Sequence, residues 1–341
     1  MFTKRKLSGL LHDKKFYVLL AVLVVMIVFP LVDRSAFTLR VLTLVTVFAI
    51  YASSWNLLAY SGQGSLGHAA FLGIGGFVSS LIAVNLGVPA LVGLLFGALF
   101  SAGIGVLIGL ACVRLKTWFL AMVTFGFSVI AAAIISALDP ITHGTLGFPP
   151  PPLVPSGLPF YLLTISVATL SIVAIYVIMK SKLGLAFKAI RENELEARMI
   201  GIHTAKYKLV AFVISTFFAG IAGGLYVQTQ GYVSSSVFSA DNSFKPLMMA
   251  VIGGLGTIEG PILGSAIIVA IDSFSPNVDR LLQPILYPLF PAVSAVGPPL
   301  RLLGLGLFLI LVVIFLPKGI ASLLPRVYDF FREEPKKANK K

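Results

Sequence analysis

Long apolar runs, repeated along almost the whole chain, constrain its fold more than any other feature of the sequence. A run of about 20 apolar residues is long enough to cross a lipid bilayer as an α-helix. The chain is 57% hydrophobic and only 11% charged, whereas soluble domains carry about 25% charged residues. The pattern therefore predicts an all-α, polytopic integral membrane protein. The candidate spans lie at residues 16–32, 38–60, 69–86, 89–113, 118–138, 160–179, 209–228, 244–273 and 301–316.

The basic residues indicate which side of the membrane each loop occupies. The net charge is +13, and Lys and Arg are concentrated at both ends of the chain and in short loops. Cytoplasmic loops are enriched in Lys and Arg, so this distribution predicts cytoplasmic termini and argues against nucleic-acid binding. We expect a basic N-terminus at 1–15, a transmembrane domain at 16–317 and a basic cytoplasmic tail at 318–341. The proline-rich stretches at 139–159 and 275–300 are expected to be loops.

Glycine residues break two of the apolar runs. A glycine-rich stretch at 61–68 precedes the run at 69–86, which three further glycines interrupt, and a second stretch at 253–260 divides the run at 244–273. Two passes in the second run, or a re-entrant hairpin, keep both termini in the cytoplasm, and two passes predict about ten crossings. The two broken passes then occupy matching places in two halves of five helices. An inverted five-plus-five repeat is the corresponding hypothesis.

The broken helices are candidates to line a solute route. Helix ends leave backbone groups unpaired, and lipid cannot satisfy them, so such breaks survive only inside protein or beside a wet cavity. Close helix packing through small residues is the alternative. His68 is either structural or a proton relay, and Glu259 and Asp272 are either functional carboxylates or lie at a membrane face. The candidate pathway residues are Gly62, Gln63, Gly64, Ser65, His68, Gly253, Gly254, Gly256 and Glu259.

Residues 180–208 form the only long polar segment within the apolar chain, with seven basic and three acidic residues. Leu183, Phe187, Ile190 and Ala197 recur at helical spacing, which predicts a short amphipathic helix on the cytoplasmic side. Such a helix either lies on lipid head groups or inserts into a groove of a soluble partner, and a solvated loop is the remaining alternative.

Several kinds of chemistry are not expected of this chain. The sequence contains no GxxxxGK[ST] phosphate loop, so the chain itself should not hydrolyse ATP. Cys112 is the only cysteine and there are four histidines, so no metal site is expected. Neither the histidines nor the carboxylates show a spacing typical of a nucleophile and its base, and an enzyme is therefore not expected.

Four sequence blocks, in order along the chain, resemble the branched-chain amino acid ABC transporter permease family. The resemblance covers roughly residues 40–320 and implies an all-helical importer subunit of a bacterial or archaeal inner membrane. Such permeases work with a second homologous permease, two cytoplasmic ATP-binding subunits and an extracytoplasmic solute-binding protein. The blocks are WNLLAYSGQGSLGHAAFLGIGGF (55–77), RLKTWFLAMVTFGFS (114–128), GLAFKAIRENELEARMIGI (184–202) and MAVIGGLGTIEGPILGSA (249–266), followed by FLPKGI (315–320).

The resemblance implies transport of branched-chain or related hydrophobic amino acids, with ATP bound by the partner subunits and no cofactor in this chain. Relatives in the family also carry urea and amides, so a permease for these solutes is an alternative. An ion-coupled secondary transporter is another alternative, and a structural membrane anchor would not need the broken helices. The family assigns the block at 184–202 to ATPase coupling. The candidate coupling residues are Phe187, Lys188, Ile190, Arg191, Glu192, Glu194, Ala197, Arg198 and Gly201.

Overall fold

The computed structural model describes residues 33–115, 117–286 and 297–323, together with residues 26, 29 and 30. The predicted N-terminus at 1–15, most of the predicted span at 16–32 and the tail beyond residue 323 lie outside the described residues. The described α-helices, in chain order, are α1 (Ala36–Tyr60), α2 (His68–Leu86), α3 (Ala90–Cys112), α4 (Thr117–Ala137), α5 (Asp139–Thr142), α6 (Leu158–Lys180), α7 (Lys182–Glu192), α8 (Glu194–Met199), α9 (Thr204–Gln230), α10 (Ala240–Gly253), α11 (Glu259–Leu286) and α12 (Gly297–Phe315). Two short 3-10 helices lie at Ser235–Phe238 and Ile320–Leu323.

Six of the described helices are long and apolar enough to cross a membrane, namely α1, α2, α3, α4, α6 and α9. Five of them begin and end within two residues of a predicted span, and α9 begins five residues before the predicted span at 209–228. The described part of the chain contains no β-strand, only an isolated bridge between Phe148 and Val233. The all-helical, multi-pass membrane class is therefore confirmed. Ten crossings, an inverted repeat and cytoplasmic termini stay predictions.

The helix α2 is continuous through Gly73, Gly75 and Gly76, so the prediction that these glycines interrupt the third apolar run is wrong. They lie instead at close contacts between helices. A Cβ at Gly73 would lie 2.5 Å from the ring of Phe238, and a Cβ at Gly75 would collide with the backbone of Gly220. Glycine costs about 1 kcal/mol in a helix interior relative to alanine. Close packing between membrane helices through small residues offsets this cost.

The helix α11 continues as far as Leu286 and α12 begins at Gly297, so the prediction of a loop over the whole of 275–300 is wrong at both of its ends. The helix α11 runs through Pro276 and Pro284. Proline removes a backbone donor and disfavours a helix interior in water. Membrane helices tolerate it because neighbouring groups and local helix adjustments satisfy the freed backbone. Residues 287–296 lie outside the described residues.

The helices α10 and α11 form an antiparallel hairpin. Gly253, at the end of α10, packs against the carbonyl of Gly260, at the start of α11. Farther from the turn, Gly264 of α11 packs against the carbonyl of Met249, so the two helices run in opposite directions. The apolar run at 244–273 therefore reverses its direction, as predicted, and does not continue as one straight helix.

The helix α1 lies at the centre of the bundle and packs against α6, α9, α10 and α11. Most residues in its C-terminal half are buried. On one side of α1, the helices α2, α3 and α9 pack closely, and Ser101 Oγ lies 3.1 Å from the Phe71 carbonyl and 2.9 Å from the Thr216 carbonyl. The helix α4 is peripheral, and its Trp118 is 82% exposed. Its apolar outer surface suits contact with lipid.

The two ends of the bundle differ in what they contact. The polar segment at 180–208, here called the arm, lies at the C-terminal end of α1, where the Arg191 guanidinium lies 5.3 Å from the ring centroid of Tyr60. We call this the arm end. At the opposite end, Arg40 of α1 donates a hydrogen bond of 3.1 Å to Gln230 of α9. The length of α1 separates these ends by about 38 Å at 1.5 Å per residue.

Candidate functional site

The first glycine-rich turn, residues 61–67, follows α1 at the arm end. Gly62 has a φ of +78°, in the left-handed region that glycine adopts without a steric cost. Gln63 Nε2 donates to the Lys208 carbonyl of α9 at 2.9 Å, and Thr117 Oγ1 of α4 donates to the Gly62 carbonyl at 3.1 Å. The turn is therefore held by α4 and α9 as well as by α1.

After this turn, the chain runs back along α1 before α2 begins. Trp55 Nε1 of α1 donates to the Ser65 carbonyl at 2.7 Å, and the Leu66 amide donates to Thr124 Oγ1 of α4 at 3.2 Å. A Cβ at Gly67 would collide with the Thr124 carbonyl, so this passage fits only glycine. The helix α2 therefore begins inside the bundle, more than one helical turn away from the end of α1.

His68, the first residue of α2, is fully buried. Its Nε2 lies 3.1 Å from Ser54 Oγ and 3.5 Å from Ser215 Oγ. Its ring lies 5.4 Å from the Tyr51 ring and 6.0 Å from the Phe71 ring. Among the described residues, no group forms a hydrogen bond with His68 Nδ1. A buried polar atom without a partner costs about 1–3 kcal/mol.

The second glycine-rich turn, residues 254–258, joins α10 to α11 at the same end of the bundle. The Gly256 amide donates to Asn56 Oδ1 at 2.7 Å, and Asn56 Nδ2 donates to the Thr257 carbonyl at 2.6 Å. One side chain of α1 thus binds the turn through both its oxygen and its nitrogen. Glu259 is buried at the first position of α11, where the helix dipole favours a carboxylate.

The two glycine-rich turns and the arm are in contact at Arg191. The sequence did not indicate that these three segments lie together. A Cβ at Gly62 would lie 3.0 Å from Arg191 Cα, and a Cβ at Gly256 would lie 2.6 Å from Arg191 Nη1. Of the remaining predicted pathway glycines, Gly64 lies beside Thr117, and Gly254 lies beside the Lys318 carbonyl. The predicted glycines therefore collect at the arm end. Their assignment to a solute route stays a prediction.

The arm folds as two helices, α7 and α8, and does not form a solvated loop. Ser181 Oγ accepts a hydrogen bond of 3.1 Å from the Leu183 amide at the start of α7. Asn193 Oδ1 accepts one of 3.0 Å from the Leu195 amide at the start of α8. Ser and Asn are preferred at this position because the side-chain oxygen satisfies an unpaired amide of the first helical turn.

The apolar stripe predicted on the arm faces the bundle. Phe187, Ile190 and Ala197 are buried, with exposed fractions of 4% or less. Their side chains therefore hold the arm to the bundle and are not surface groups. The predicted coupling residues with exposed side chains are Lys188, Arg191, Glu192 and Arg198, and Gly201 is also exposed.

A second apolar set on the arm faces outward, and sequence reasoning missed it. Leu195, Met199 and Ile200 are 71%, 87% and 72% exposed. These residues lie outside the helices that are long enough to cross a membrane. The spacing of Leu195 and Met199, four residues apart, is the sequence signal that could have identified this outer surface.

Glu194 of the arm belongs to an ion cluster. Glu194 Oε1 accepts a hydrogen bond of 2.6 Å from Arg198 Nη2, and Glu194 Oε2 accepts one from Lys208 Nζ. Burial raises the pKa of the Glu194 carboxyl, but the hydrogen bonds from Lys208 and Arg198 outweigh burial and hold the pKa below its usual value. The cluster ties α8 to the start of α9.

A second ion cluster, around Lys245 of α10, was not predicted. Lys245 Nζ lies 2.8 Å from Asp241 Oδ2 and 3.3 Å from Asp272 Oδ2. It also lies 5.5 Å from the ring centroid of Phe48, which is midway along α1. The cluster therefore lies inside the bundle, beside the middle of α1. A lysine four residues after an aspartate within an apolar run was the available signal.

A proline beside this cluster, Pro246, removes one backbone hydrogen bond from α10. Pro246 has no amide hydrogen, so it cannot donate the usual helical hydrogen bond to the Asn242 carbonyl four residues earlier. Tyr51 of α1 donates to that carbonyl through its hydroxyl at 3.0 Å. The Tyr51 hydroxyl thus takes the place of the missing backbone donor, and this hydrogen bond joins α10 to α1 at the centre of the bundle.

A bundle of apolar helices with a buried polar interior and a helical polar arm at one end defines a multi-pass membrane protein. Among the described residues, no group of three or more His, Cys, Asp or Glu side chains is placed to hold a metal ion. A family profile described as "Branched-chain amino acid transport system / permease component" matches residues 37–316. The chain belongs to this permease family, which confirms the resemblance seen in the sequence blocks.

Named relatives agree with the family. The chain is 30% identical over 285 residues to the high-affinity branched-chain amino acid transport system permease protein LivM of Salmonella typhimurium, and equally to that of Escherichia coli. Each alignment covers 74% of this chain and 66% of the relative, so the chain spans slightly less than two thirds of the LivM proteins. A probable LivH permease of Methanocaldococcus jannaschii is 32% identical over 110 residues, covering 30% of this chain and 32% of the relative. No solved structure matches the chain.

Proposed function

We propose that this chain is a permease subunit of an ATP-driven importer for branched-chain or related hydrophobic amino acids. The importer lies in the inner membrane of a bacterium or archaeon. It contains a second homologous permease, two cytoplasmic ATP-binding subunits and an extracytoplasmic protein that delivers the solute. Family membership and the names of the LivM and LivH relatives support this proposal. The sequence has no phosphate-binding loop, so ATP binding is assigned to the partner subunits.

The observation that carries the proposal is the outer surface of the arm. Leu195, Met199 and Ile200 are exposed on or next to a short helix that a buried stripe holds against the bundle. Exposed apolar side chains on a fixed helix suit insertion into an apolar groove of a soluble partner. We assign this surface to contact with an ATP-binding subunit.

The mechanism follows from the position of the arm. Movement of the ATP-binding subunits displaces the arm, and the arm lies against both glycine-rich turns. We assign these turns to the inward mouth of the solute route, and we place His68 deeper along it. Rigid-body rocking of the helices then exposes the route to each side of the membrane in turn.

Uptake by the purified complex in proteoliposomes tests the transport assignment. We expect uptake of radiolabelled leucine that requires ATP inside the vesicle and the solute-binding protein outside. Competition by urea or acetamide instead of leucine would favour the alternative solute class. The buried cluster of Lys245, Asp241 and Asp272 is the observation that favours an ion-coupled transporter. Uptake that follows an ion gradient and ignores ATP would reject the importer.

Charged substitutions on the arm test the docking surface. We expect Leu195→Glu and Met199→Glu to reduce co-purification of the ATP-binding subunits at least tenfold, because each places a charge in an apolar groove. Leu146→Glu is the matched control, since Leu146 is 78% exposed but lies in the loop between α5 and α6, at the opposite end. Equal recovery of the ATP-binding subunits with all three variants would contradict the assignment of this surface.

A further inference from the structure

Arg191 occupies a junction between the arm and the membrane bundle. It is the last residue but one of α7, immediately before the break that separates α7 from α8. Its guanidinium lies over the ring of Tyr60, the last residue of α1, at 5.3 Å from the ring centroid. The side chain is therefore directed at the bundle, although it belongs to the arm.

Both glycine-rich turns approach Arg191 through a glycine with a positive φ. Gly62 of the first turn has a φ of +78°, and Gly256 of the second turn has a φ of +76°. The first lies against the backbone of Arg191 and the second against its guanidinium. A side chain at either glycine would strain the backbone and displace Arg191. Arg191 is thus in direct contact with the backbone of both turns.

Both turns are bound to α1, and the first turn is also bound to α9. Gln63 joins the first turn to the Lys208 carbonyl of α9. Asn56 of α1 joins the second turn through hydrogen bonds to Gly256 and Thr257. A displacement of Arg191 therefore acts on two turns that are both attached to α1, and through the first turn it also acts on α9.

The arm can transmit such a displacement because its first helix is fixed to the bundle by buried side chains. Phe187 is fully buried and Ile190 is 4% exposed, on the turn of α7 that precedes Arg191. A displacement of α8 reaches Arg191 across the break at Asn193, and the packed turn of α7, whose interior is not easily compressed, holds Arg191 against the bundle.

We propose that Arg191 is a positioning residue that couples movement of the arm to the two glycine-rich turns at once, and is not a docking residue for the ATP-binding subunits. This inference rests on the proposed function. The planar guanidinium lies over the Tyr60 ring and beside Gly256, whereas a lysine ammonium is a strongly hydrated point charge on a flexible stem. Lysine should therefore replace Arg191 only in part.

The reconstituted complete importer tests this inference through the ratio of solute transported to ATP hydrolysed. We expect Arg191→Ala to retain its ATP-binding subunits and its ATP hydrolysis while this ratio falls at least tenfold. Arg191→Lys should give an intermediate ratio. Lys182→Ala is the matched control, because Lys182 is an exposed cation at the start of the same helix, and its ratio should equal that of the wild type.

Two results of this assay would overturn the inference. Loss of the ATP-binding subunits from Arg191→Ala would make Arg191 a docking residue, and an unchanged ratio would remove its role in coupling. A wild-type importer without ATP-dependent uptake would instead reject the proposed function. Distances between spin labels then test the role of Arg191 separately, so failure of the proposed function and failure of the inference can be distinguished.

Distances between spin labels test the mechanical link directly. Cys112, the only native cysteine, is replaced by alanine, and labels are placed at Leu146 with either Glu196 of the arm or Leu255 of the second turn, all three being exposed. With ATP and vanadate, we expect both distances to change in the wild type. In Arg191→Ala, only the distance to the arm should change. A distance to the turn that stays constant in the wild type, or changes equally in Arg191→Ala, would overturn the inference.

Discussion

The arm and the interior of the bundle each contain an ion cluster of three side chains, and the two clusters differ in their surroundings. In the arm cluster, one carboxylate pairs with two cations, and the Arg198 side chain is 59% exposed. In the bundle cluster, one cation pairs with two carboxylates, and the Lys245 side chain is 9% exposed. The arm cluster has the more exposed member, so water screens it more than the bundle cluster, in which the Asp241 side chain is 32% exposed. The arm cluster therefore suits a segment that moves, and the bundle cluster suits a fixed element.

The same difference decides how much each cluster contributes to stability. Exposed ion pairs contribute about 0–1 kcal/mol because water competes for both partners. A buried ion pair contributes little by itself, but removal of one partner costs about 3–5 kcal/mol, since it leaves a charge without compensation. The two clusters can therefore be distinguished by the change in the free energy of unfolding when one partner, or every partner, of a cluster is replaced.

The largest effect is expected for Lys245→Met. This change leaves the two carboxylates of Asp241 and Asp272 without the ammonium that lies between them, and we expect a loss of about 3–5 kcal/mol in the free energy of unfolding. Equilibrium unfolding in mixed micelles measures this loss. Lys182→Met, on the exposed start of the arm, is the control and should change the free energy by less than about 0.5 kcal/mol. Similar losses in the two variants would show that the buried Lys245 contributes no more to stability than an exposed lysine does.

Removal of the whole buried cluster should cost much less than removal of its cation. In the triple variant Asp241→Asn, Lys245→Met and Asp272→Asn, no buried charge of the cluster remains. We expect the free energy of unfolding to lie within about 2 kcal/mol of the wild type, because apolar or neutral replacements of a complete buried ion cluster are often nearly neutral. If the triple variant is as unstable as Lys245→Met, packing around Lys245 matters more than its charge.

A smaller effect is expected for Glu194→Gln in the arm. The glutamine keeps the shape of the side chain but loses its charge, so we expect a loss of about 1 kcal/mol. The loss should shrink in 1 M salt, where charges are screened within about 3 Å. Unfolding at low and high salt measures both quantities. A loss as large as that of Lys245→Met would contradict a solvent-screened cluster.

The smallest expected effect is the pH dependence of the contribution that Glu194 makes to the free energy of unfolding. The pKa of Glu194 in the folded chain lies below its ordinary value of 4.5, so ionised Glu194 stabilises the folded state. This contribution is complete above that ordinary value and is lost as the pH falls through the folded-state pKa. The difference in unfolding free energy between the wild type and Glu194→Gln should therefore be constant from pH 7 down to about 5 and decline below about 4.5. A difference that does not vary with pH would show that the Glu194 charge has no stabilising role.

Features that depend on neighbouring residues were predictable from the sequence. The ends of α1 and α2 were predicted to within two residues, because the glycine-rich stretch between them interrupts the apolar pattern. The amphipathic character of α7 was predicted because Leu183, Phe187 and Ile190 share one face of a helix. The sequence did not indicate whether this face meets a partner or the bundle, since both are apolar surroundings.

Features that depend on distant residues were not predictable in the same way. Lys245 lies in α10 and Asp272 in α11, on either side of the second glycine-rich turn. Hydropathy alone could not indicate that the two form an ion pair. Gly73, Gly75 and Gly76 have low helix propensity, and only their contacts across the bundle explain why α2 continues through them. Local propensity was overridden by packing at these positions.

The sequence by itself determined that the chain is a bundle of membrane helices with one polar arm, because hydropathy and helical periodicity act over a few residues. The family blocks determined the class of permease. Only the tertiary structure decided that the two glycine-rich turns meet at Arg191 and that Lys245 is enclosed by two aspartates. These contacts join residues far apart in the chain, and their energies depend on the burial and close packing that arise when the helices assemble.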